Sequence, residues 1–347
     1  MTFRRALLLG AALGLLGAAA IVGWLYTGLY VDRIADPDDT VHVVVPEGAH
    51  LGDVARVLVD AELLDAPWKL RLVARFEGGA RRLRAGEFDL PRGASPDRLL
   101  RALVEGRMRT RAVTLPEGWS AERTVAVLAD SLSVDRAALD SLVASPPEEW
   151  AARLDLPEGA SLEGYLFPET YRFTRGVKPR TVIRTLLDAH EAVFVDSVRV
   201  RLEESGFTRH EWVTLASIVE AEAQVEDEFT RVAAVYRNRL EKGWRLEADP
   251  TVAFALGKPG DELTYRDLET ESAYNTYRVR GLPPGPINNP GRRALIAALW
   301  PEPDFDAMYF VADGEGGHRF SRTWEEHRRA VQLYRQWQRE QRRRGSG

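Results

Sequence analysis

The spacing of apolar residues changes several times along this chain of 347 residues. After Arg5, the 26 residues from Ala6 to Val31 carry no charge and are mostly Leu, Ala, Gly and Val. A helix of about 20 apolar residues crosses the hydrocarbon core of a bilayer. Aromatic residues close the run, as is typical of a membrane interface: Trp24, Tyr26 and Tyr30. The pattern predicts an anchor over residues 1–31. The competing interpretation is a signal peptide cleaved near Ala18–Ala20.

Shorter apolar patterns follow, separated by Pro and Gly. Residues 32–108 predict a strand, two helices, a returning strand and a third helix, at 41–45, 51–63, 67–76, 84–90 and 96–105. Residues 109–180 predict a connecting α+β segment, and residues 181–345 predict a mostly helical domain that ends in a strand pair and a helix. A long helix is expected over 179–205. The predicted fold class is therefore α+β, behind a transmembrane helix.

Composition narrows the possible chemistry. Apolar residues make up 45% and charged residues 29%, which is typical of a globular protein. The net charge of −5 argues against binding to nucleic acid. The chain has no Cys, so disulfides, thiolate nucleophiles and zinc–thiolate sites are excluded. Its six His leave little room for a His-rich metal centre. The sequence thus predicts neither a metal nor a cofactor.

One candidate for acid–base chemistry lies in a helix predicted to begin at Thr208. Glu220 interrupts an apolar run there, and its helical neighbours are small or polar: Ala216, Ser217, Ala223 and Gln224. This predicts a shallow face that a bulky substrate could approach. A carboxyl group beside an apolar wall has a raised pKa, which suits a general acid. The alternative is a half-exposed Glu on an amphipathic helix. Glu222 lies about 200° further round and points elsewhere.

Two other stretches could form a binding surface. The segment 162–173 holds four aromatic residues and two carboxylates, and such residues bind sugars by stacking and hydrogen bonding. Packing in the core is the alternative. The segment 273–291 is dense in Pro and Gly, carries Tyr and Asn, and precedes a helix, as binding walls often do.

A Pro-Glu-Gly turn occurs three times, at 46–48, 116–118 and 157–159. The first two copies each follow a Val-rich strand and precede a helix, so they indicate either two related units or a shared turn chemistry.

Seven ordered motifs together resemble the YceG-like family of endolytic murein transglycosylases. They are 162–171 (LEGYLFPETY), 216–222 (ASIVEAE), 235–240 (VYRNRL), 248–252 (ADPTV), 274–277 (YNTY), 281–287 (GLPPGPI), and 309–314 (YFVADG) continuing through 317–321 (GHRFS) to His327. The resemblance spans roughly residues 40–335. It implies a LysM-like subdomain at 32–108 and a catalytic domain at 181–345. The family pattern is kept at Glu220 and Glu222, whereas Ala221 and Ala223 depart from it.

The resemblance implies that Glu220 is the catalytic acid. The enzyme would cleave the β-1,4 bond between N-acetylmuramic acid and N-acetylglucosamine and form a 1,6-anhydro end, which limits glycan strand length. Supporting roles in substrate binding are expected for the following residues: Glu222, Asn275, Tyr277, Tyr165, Glu169, Tyr171, Asp249 and His318. In this scheme Asn275 and Tyr277 bind N-acetyl groups and Tyr165 and Tyr171 stack on sugars. A metal bound by His318, His327 and Asp313 is the weaker alternative for these groups.

The expected location is the cytoplasmic (inner) membrane, crossed once, with the catalytic domain on the periplasmic side. The expected partners are peptidoglycan glycan strands, the membrane and, by resemblance, penicillin-binding proteins of the synthesis machinery. Two alternatives stay open at this point. One is a membrane-anchored peptidoglycan-binding scaffold without catalysis, which would have no need for Glu220. The other is a glycan hydrolase that uses water as the nucleophile.

Overall fold

The computed structural model describes residues 3–34, 36, 39–79, 82–105, 110–174 and 176–345. The chain forms two compact units. The first consists of Met1–Arg111 with Arg172–Gly176, and the second of Ala112–Tyr171 with Val177–Gly347. The predicted connecting segment and the predicted catalytic domain thus fall largely within one unit. The predicted domain boundaries themselves stay a prediction.

The first unit begins with helix α1, Phe3–Tyr30. Within it, Ala12–Tyr30 has a mean hydropathy of 1.7 and is long enough to cross a membrane, and no other helix in the described part of the chain meets both conditions. Most apolar side chains of Ala12–Tyr30 are exposed, for example Leu16 at 67% and Trp24 at 64%, whereas Leu29 is buried in the core of this unit. An apolar surface of this kind is expected where lipid replaces water.

The rest of the first unit is a small α+β layer. Strands β1 (Thr40–Val45) and β2 (Gly86–Pro91) pair in an antiparallel manner with Val43 opposite Phe88. Three helices share a hydrophobic core with this strand pair. The helices and strands are β1 Thr40–Val45, α2 Leu51–Asp60, α3 Pro67–Glu77, β2 Gly86–Pro91 and α4 Pro96–Glu105. Alternate strand residues enter a core shared with the helices, because successive side chains of a strand point to opposite faces. The predicted mixed α+β character is confirmed.

The second unit is mostly helical. Among its described residues, strand β3 (Thr110–Thr114) pairs with β4 (Thr170–Thr174). Strand β5 (Tyr309–Ala312) pairs with β6 (His318–Ser321) in an antiparallel manner. Its elements are β3 Thr110–Thr114, α5 Ala121–Leu132, α6 Arg136–Ala144, α7 Glu148–Arg153, β4 Thr170–Thr174, α8 Pro179–Glu191, α9 Asp196–Ser205, α10 Arg209–Glu222, α11 Phe229–Glu241, α12 Asp249–Leu256, α13 Arg292–Leu299, β5 Tyr309–Ala312, β6 His318–Ser321 and α14 Trp324–Gly345. Strand β3 begins two residues before the unit boundary, and β4 crosses it.

The prediction of one long helix over 179–205 is wrong, because the structure has two helices there, α8 and α9. The turn between them places Val193 in the core and stacks Phe194 on Trp212, with ring centroids 5.9 Å apart. The guanidinium of Arg209 covers the same Phe194 ring at 4.2 Å. Local helix propensity does not include this tertiary packing, which is why the pattern alone missed the turn.

Helix α10 forms the centre of the second unit. A capping box begins it, since Thr208 Oγ1 accepts a hydrogen bond from Glu211 N, and Glu211 Oε2 accepts one from Thr208 N at 2.8 Å. Arg209, His210 and every residue from Trp212 to Val219 are buried, and the helix packs against α11, α12 and α13. Trp212 donates its indole N–H to Leu295 O of α13 at 2.8 Å. The buried helix therefore holds its last turn, which carries Glu220, at a fixed position.

Candidate active site

The predicted open face of α10 is covered. Ala216 and Ser217 are fully buried, and the segment 286–291 lies over them. Ser217 Oγ accepts a hydrogen bond from Ile287 N at 3.0 Å, and Asn288 Nδ2 donates to Ser217 O at 2.8 Å. Glu220 stays accessible for a different reason, namely that α10 ends at Glu222 and Ala223 already has an extended backbone. The helix end, and not a shallow face, exposes the candidate acid.

Glu220 is half-buried and faces the beginning of α13. Its Oε2 accepts a hydrogen bond at 2.9 Å from the backbone N–H of Gly291, the N-cap residue of that helix. Burial raises the pKa of the Glu220 carboxyl, the negative charge of Glu117 contributes to the rise, and the resulting pKa is about 7. The Gly291 N–H and the charge of Arg293 act in the opposite direction. The carboxyl group is therefore divided between its acid and its base form near neutral pH.

Glu117 is a site residue that the sequence reasoning did not select. A Cβ built on Gly291 would lie 1.9 Å from Glu117 Oε1, so this carboxylate sits directly over the Gly291 backbone. Only a residue without a side chain permits this approach. The next residue, Gly118, has φ of +75° and lies within 3.6 Å of Glu220 Cγ by the same construction. The available signal was the second copy of the Pro-Glu-Gly turn.

Asn289 joins three separate segments around the site and is only 1% exposed. Its Oδ1 accepts hydrogen bonds from Gly164 N at 3.0 Å and Leu166 N at 2.9 Å. Its Nδ2 donates to Trp119 O at 2.9 Å, and the backbone N–H of Asn289 donates to the same oxygen. This residue therefore fixes both the turn that carries Glu117 and the segment that ends at Gly291.

A cluster of polar side chains lies at the end of α10 and contains three of the predicted site residues. Tyr236 donates its hydroxyl to Glu222 Oε1 at 2.9 Å, and Tyr277 donates to Asp249 Oδ1 at 2.6 Å. Burial raises the pKa of the Glu222 carboxyl, the charge of Asp249 contributes to the rise, and the resulting pKa is about 7. Burial, the hydrogen bond to Asp249 and the charges of Asp249 and Glu222 raise the pKa of Tyr277. The structure thus couples Glu222, Asp249 and Tyr277.

Three other predicted contacts are buried, and their polar atoms are engaged. Tyr165 is 0% exposed, and its hydroxyl meets His210 Nδ1 at 3.0 Å. Tyr171 donates to Phe167 O at 2.7 Å. Asn275 donates to Leu268 O and Thr270 O and accepts from the backbone N–H of Tyr277. In these positions the two rings pack in the core and the amide shapes its own loop, which leaves none of them facing a ligand.

The remaining two predicted contacts lie elsewhere. His318 pairs with Glu228, its Nδ1 2.8 Å from Glu228 Oε2, and its side chain is 6% exposed. The backbone N–H of His318 donates to the other carboxylate oxygen at 2.6 Å, so the pair ties β6 to the beginning of α11. Glu169 is exposed at the beginning of β4, where its backbone oxygen accepts from Leu115 N. Neither residue shares a described contact with Glu220.

The described residues contain no group of three or more His, Asp or Glu side chains placed to hold a metal ion. His318 and Asp313, two members of the weaker metal hypothesis, are engaged separately. Asp313 Oδ1 accepts from the backbone N–H groups of Glu315 and Gly317, and His318 is held by Glu228. Hydrogen bonds within the protein thus already engage both side chains, and His327 stacks on the ring of Tyr309 with ring centroids 5.1 Å apart.

Comparison with known proteins identifies the family of this chain. The sequence model of the YceG-like family matches residues 43–333. An endolytic murein transglycosylase of Bacillus subtilis is 29% identical over 317 residues, which are 86% of this chain and 86% of that protein. One of Streptococcus pneumoniae is 28% identical over 92% of this chain, which spans only 63% of that longer protein.

A solved structure is also similar. The crystal structure of a YceG-like protein from Listeria monocytogenes superimposes with a TM-score of 0.57 at 30% identity, over 84% of this chain and 99% of that one. The family match covers most of the chain, on both sides of the Glu220 site. This chain belongs to the YceG-like family.

Proposed function

We propose that this protein is an endolytic murein transglycosylase, a lyase that cleaves glycan strands of peptidoglycan internally with Glu220 as its acid and base. The observation that carries the proposal is the Glu220 carboxyl group itself. It is half-buried, its pKa is about 7, and a backbone N–H occupies one of its two oxygens. The names of the relatives in Bacillus and Streptococcus support the same activity.

The hydrogen bond from Gly291 decides which oxygen carries the proton. Because Oε2 accepts the Gly291 N–H, the protonated form places its O–H on Oε1. That hydroxyl is the donor for the glycosidic oxygen between N-acetylmuramic acid and N-acetylglucosamine. As the C1–O4 bond breaks, the proton stays with the leaving sugar, and positive charge develops on the muramyl ring.

The second half of the reaction uses the carboxylate that the first half produced. Glu220 accepts the proton of the muramyl C6 hydroxyl, and the C6 oxygen bonds to C1 to close a 1,6-anhydro ring. Each turnover returns the proton to Glu220, so no water is consumed. One carboxyl group is sufficient because the nucleophile belongs to the substrate, in contrast to glycosidases that use two.

Substrate contacts in this proposal come from the cluster of polar side chains at the end of α10. Asp249 is exposed, and Tyr277 is half-buried beside it, so both can reach the hydroxyl and N-acetyl groups of a sugar. Glu222 supports them through Tyr236 and through its charge. We leave Tyr165, Tyr171 and Asn275 out of the contact set because their positions are buried.

Helix α1 anchors the protein in the cytoplasmic membrane, with the chain that follows it outside the cytoplasm. Residues 32–108 of the first unit correspond to the LysM-like subdomain and hold glycan near the membrane. Penicillin-binding proteins, which extrude nascent strands there, are the expected partners, and cleavage of those strands limits their length. The uncharged run from Ala6 to Val31 and the two arginines that precede it, Arg4 and Arg5, support this orientation.

The test is a digest of peptidoglycan by the detergent-solubilised full chain, with products identified by mass spectrometry. Glu220→Gln keeps an oxygen for the Gly291 N–H but removes the acid. Glu203→Gln, an exposed position on α9, makes the same chemical change as a control. We expect 1,6-anhydro ends from wild type and the control, and at least a 100-fold lower rate from Glu220→Gln.

The two alternatives give different products. Reducing ends in place of anhydro ends would make the protein a hydrolase. Binding of glycan strands without any cleavage, on nascent as well as mature material, would establish the non-catalytic scaffold and refute the proposal.

A further inference from the structure

Two carboxylates approach the same backbone residue from different segments of the chain. Glu220 Oε2 accepts the N–H of Gly291, and Glu117 Oε1 lies 1.9 Å from the position that a Gly291 Cβ would take. A Cα–Cβ bond is about 1.5 Å, so this oxygen is within about 3.4 Å of the Gly291 Cα. The two carboxylate groups are therefore separated by less than about 8 Å.

We infer that Glu117 is a positioning residue of the active site, whose carboxylate over Gly291 favours the protonated form of Glu220 before cleavage. This inference rests on the proposed function for its catalytic meaning. The electrostatic coupling between the two carboxylates stands on geometry alone. The Glu117 side chain is exposed to solvent apart from its approach to the Gly291 backbone.

Of the charged side chains around Glu220, Glu117 has the larger effect on its affinity for the proton. Arg293 on α13 faces Glu220 with the opposite sign, but its guanidinium pairs with Glu226 at 2.7 Å. Glu222, on the same helix as Glu220, is held by Tyr236. Glu117 is the nearby anion that raises the proton affinity of Glu220. At this separation two like charges in a partly buried site shift a titration by on the order of one pH unit.

The same charge assists the later steps. When Glu220 has given up its proton, two adjacent anions face the positive charge that develops on the sugar. Their mutual repulsion also makes Glu220 a stronger base for the C6 hydroxyl proton. The Glu117 anion thus favours both roles of Glu220, since a higher proton affinity populates the acid form before cleavage and makes the carboxylate a stronger base afterwards.

The three Pro-Glu-Gly turns provide a matched comparison. Gly118 and Gly159 have the same φ of +75°, so the second and third turns share this backbone geometry. A Cβ on Gly118 would contact Glu220 Cγ at 3.6 Å, whereas one on Gly159 would meet nothing within 4 Å. Glu158 is exposed. Only the second turn brings its Glu to the acid, so Glu158→Gln repeats the substitution in the same local sequence away from the site.

The experiment measures the titration of Glu220 directly and through the rate. The full chain in detergent is labelled with ¹³C at Glu side chains, and the Glu220 carboxyl signal is assigned by its absence from Glu220→Gln. We expect Glu117→Gln to lower the Glu220 midpoint by about one pH unit. The alkaline limb of kcat/KM should move by the same amount, with little change below pH 6. Glu158→Gln should match wild type, and Glu117→Asp should keep most of the shift.

Equal Glu220 midpoints in wild type, Glu117→Gln and Glu158→Gln would overturn the inference. A loss of rate in Glu117→Gln that is the same at every pH would also overturn it, because that result indicates a structural or substrate-contacting role. If wild type cleaved no glycan while the midpoint still shifted, the proposed function would fail and the coupling of the two carboxylates would stand.

Discussion

Replacement of Asn289 by Ala tests whether the site is held together by one buried side chain. The substitution removes the oxygen that accepts from Gly164 N and Leu166 N, both in buried residues. Trp119 O keeps a partner, because the backbone N–H of residue 289 still donates to it. Two buried donors therefore lose their acceptor.

The expected cost follows from those two donors. Each buried N–H left without a partner costs about 1–3 kcal/mol, so Asn289→Ala should lower the free energy of unfolding by about 4 kcal/mol. For a unit of this size, that loss lowers Tm by roughly 8–16 °C. The variant should also lose activity by on the order of tenfold, because the segment that ends at Gly291 is no longer fixed to the Glu117 turn.

The adjacent residue supplies the control. Asn288 Nδ2 donates one hydrogen bond, to Ser217 O, while its buried Oδ1 meets no partner among the described residues. Asn288→Ala should therefore cost less than about 1 kcal/mol. The assay is thermal unfolding of the detergent-solubilised chain, followed by Trp fluorescence. Equal losses in the two variants would refute the assignment of Asn289 as the residue that joins the segments.

Three further predictions concern charge. The wild-type cleavage rate should fall as pH rises through about 7, because Glu220 then loses the proton that it must donate; a rate that rises across this range would contradict the acid role. Gly291→Ala should displace the Glu117 carboxylate and reproduce the pH profile of Glu117→Gln with Tm nearly unchanged, since its φ of −74° suits Ala. Burial raises the pKa of Glu163 to about 7, so its contribution to stability is complete below pH 4.5 and is lost as pH rises through 7. Glu163→Gln should flatten the decline of unfolding free energy over that range, and an unchanged slope in chemical denaturation would exclude this origin.

Much of the fold could be predicted because the local signals were strong. The apolar run of α1, the α+β order of the first unit and the start of α10 after Thr208 all depend on neighbours in sequence. The break between α8 and α9 could not be predicted in this way. It depends on the burial of Val193 and on the stacking of Phe194 against Trp212 of α10, which are contacts between distant parts of the chain. The same limit applied to Tyr165, whose aromatic ring is equally compatible with a sugar platform and with the core in which it lies.

The sequence by itself determined the family, the apolar N-terminal helix and Glu220 as the candidate acid, because motif order, hydropathy and residue type are carried by the chain directly. Only the tertiary structure decided what surrounds that acid. It covered the face of Ser217 with residues 286–291 and brought Gly291 to Glu220 across 71 positions. It also distinguished Glu117 from Glu158, although each stands in a copy of the same Pro-Glu-Gly sequence. The physical reason is that burial and charge, which set the pKa of a carboxyl group, depend on neighbours in space, and the packing of α10 against α13 determines which neighbours those are.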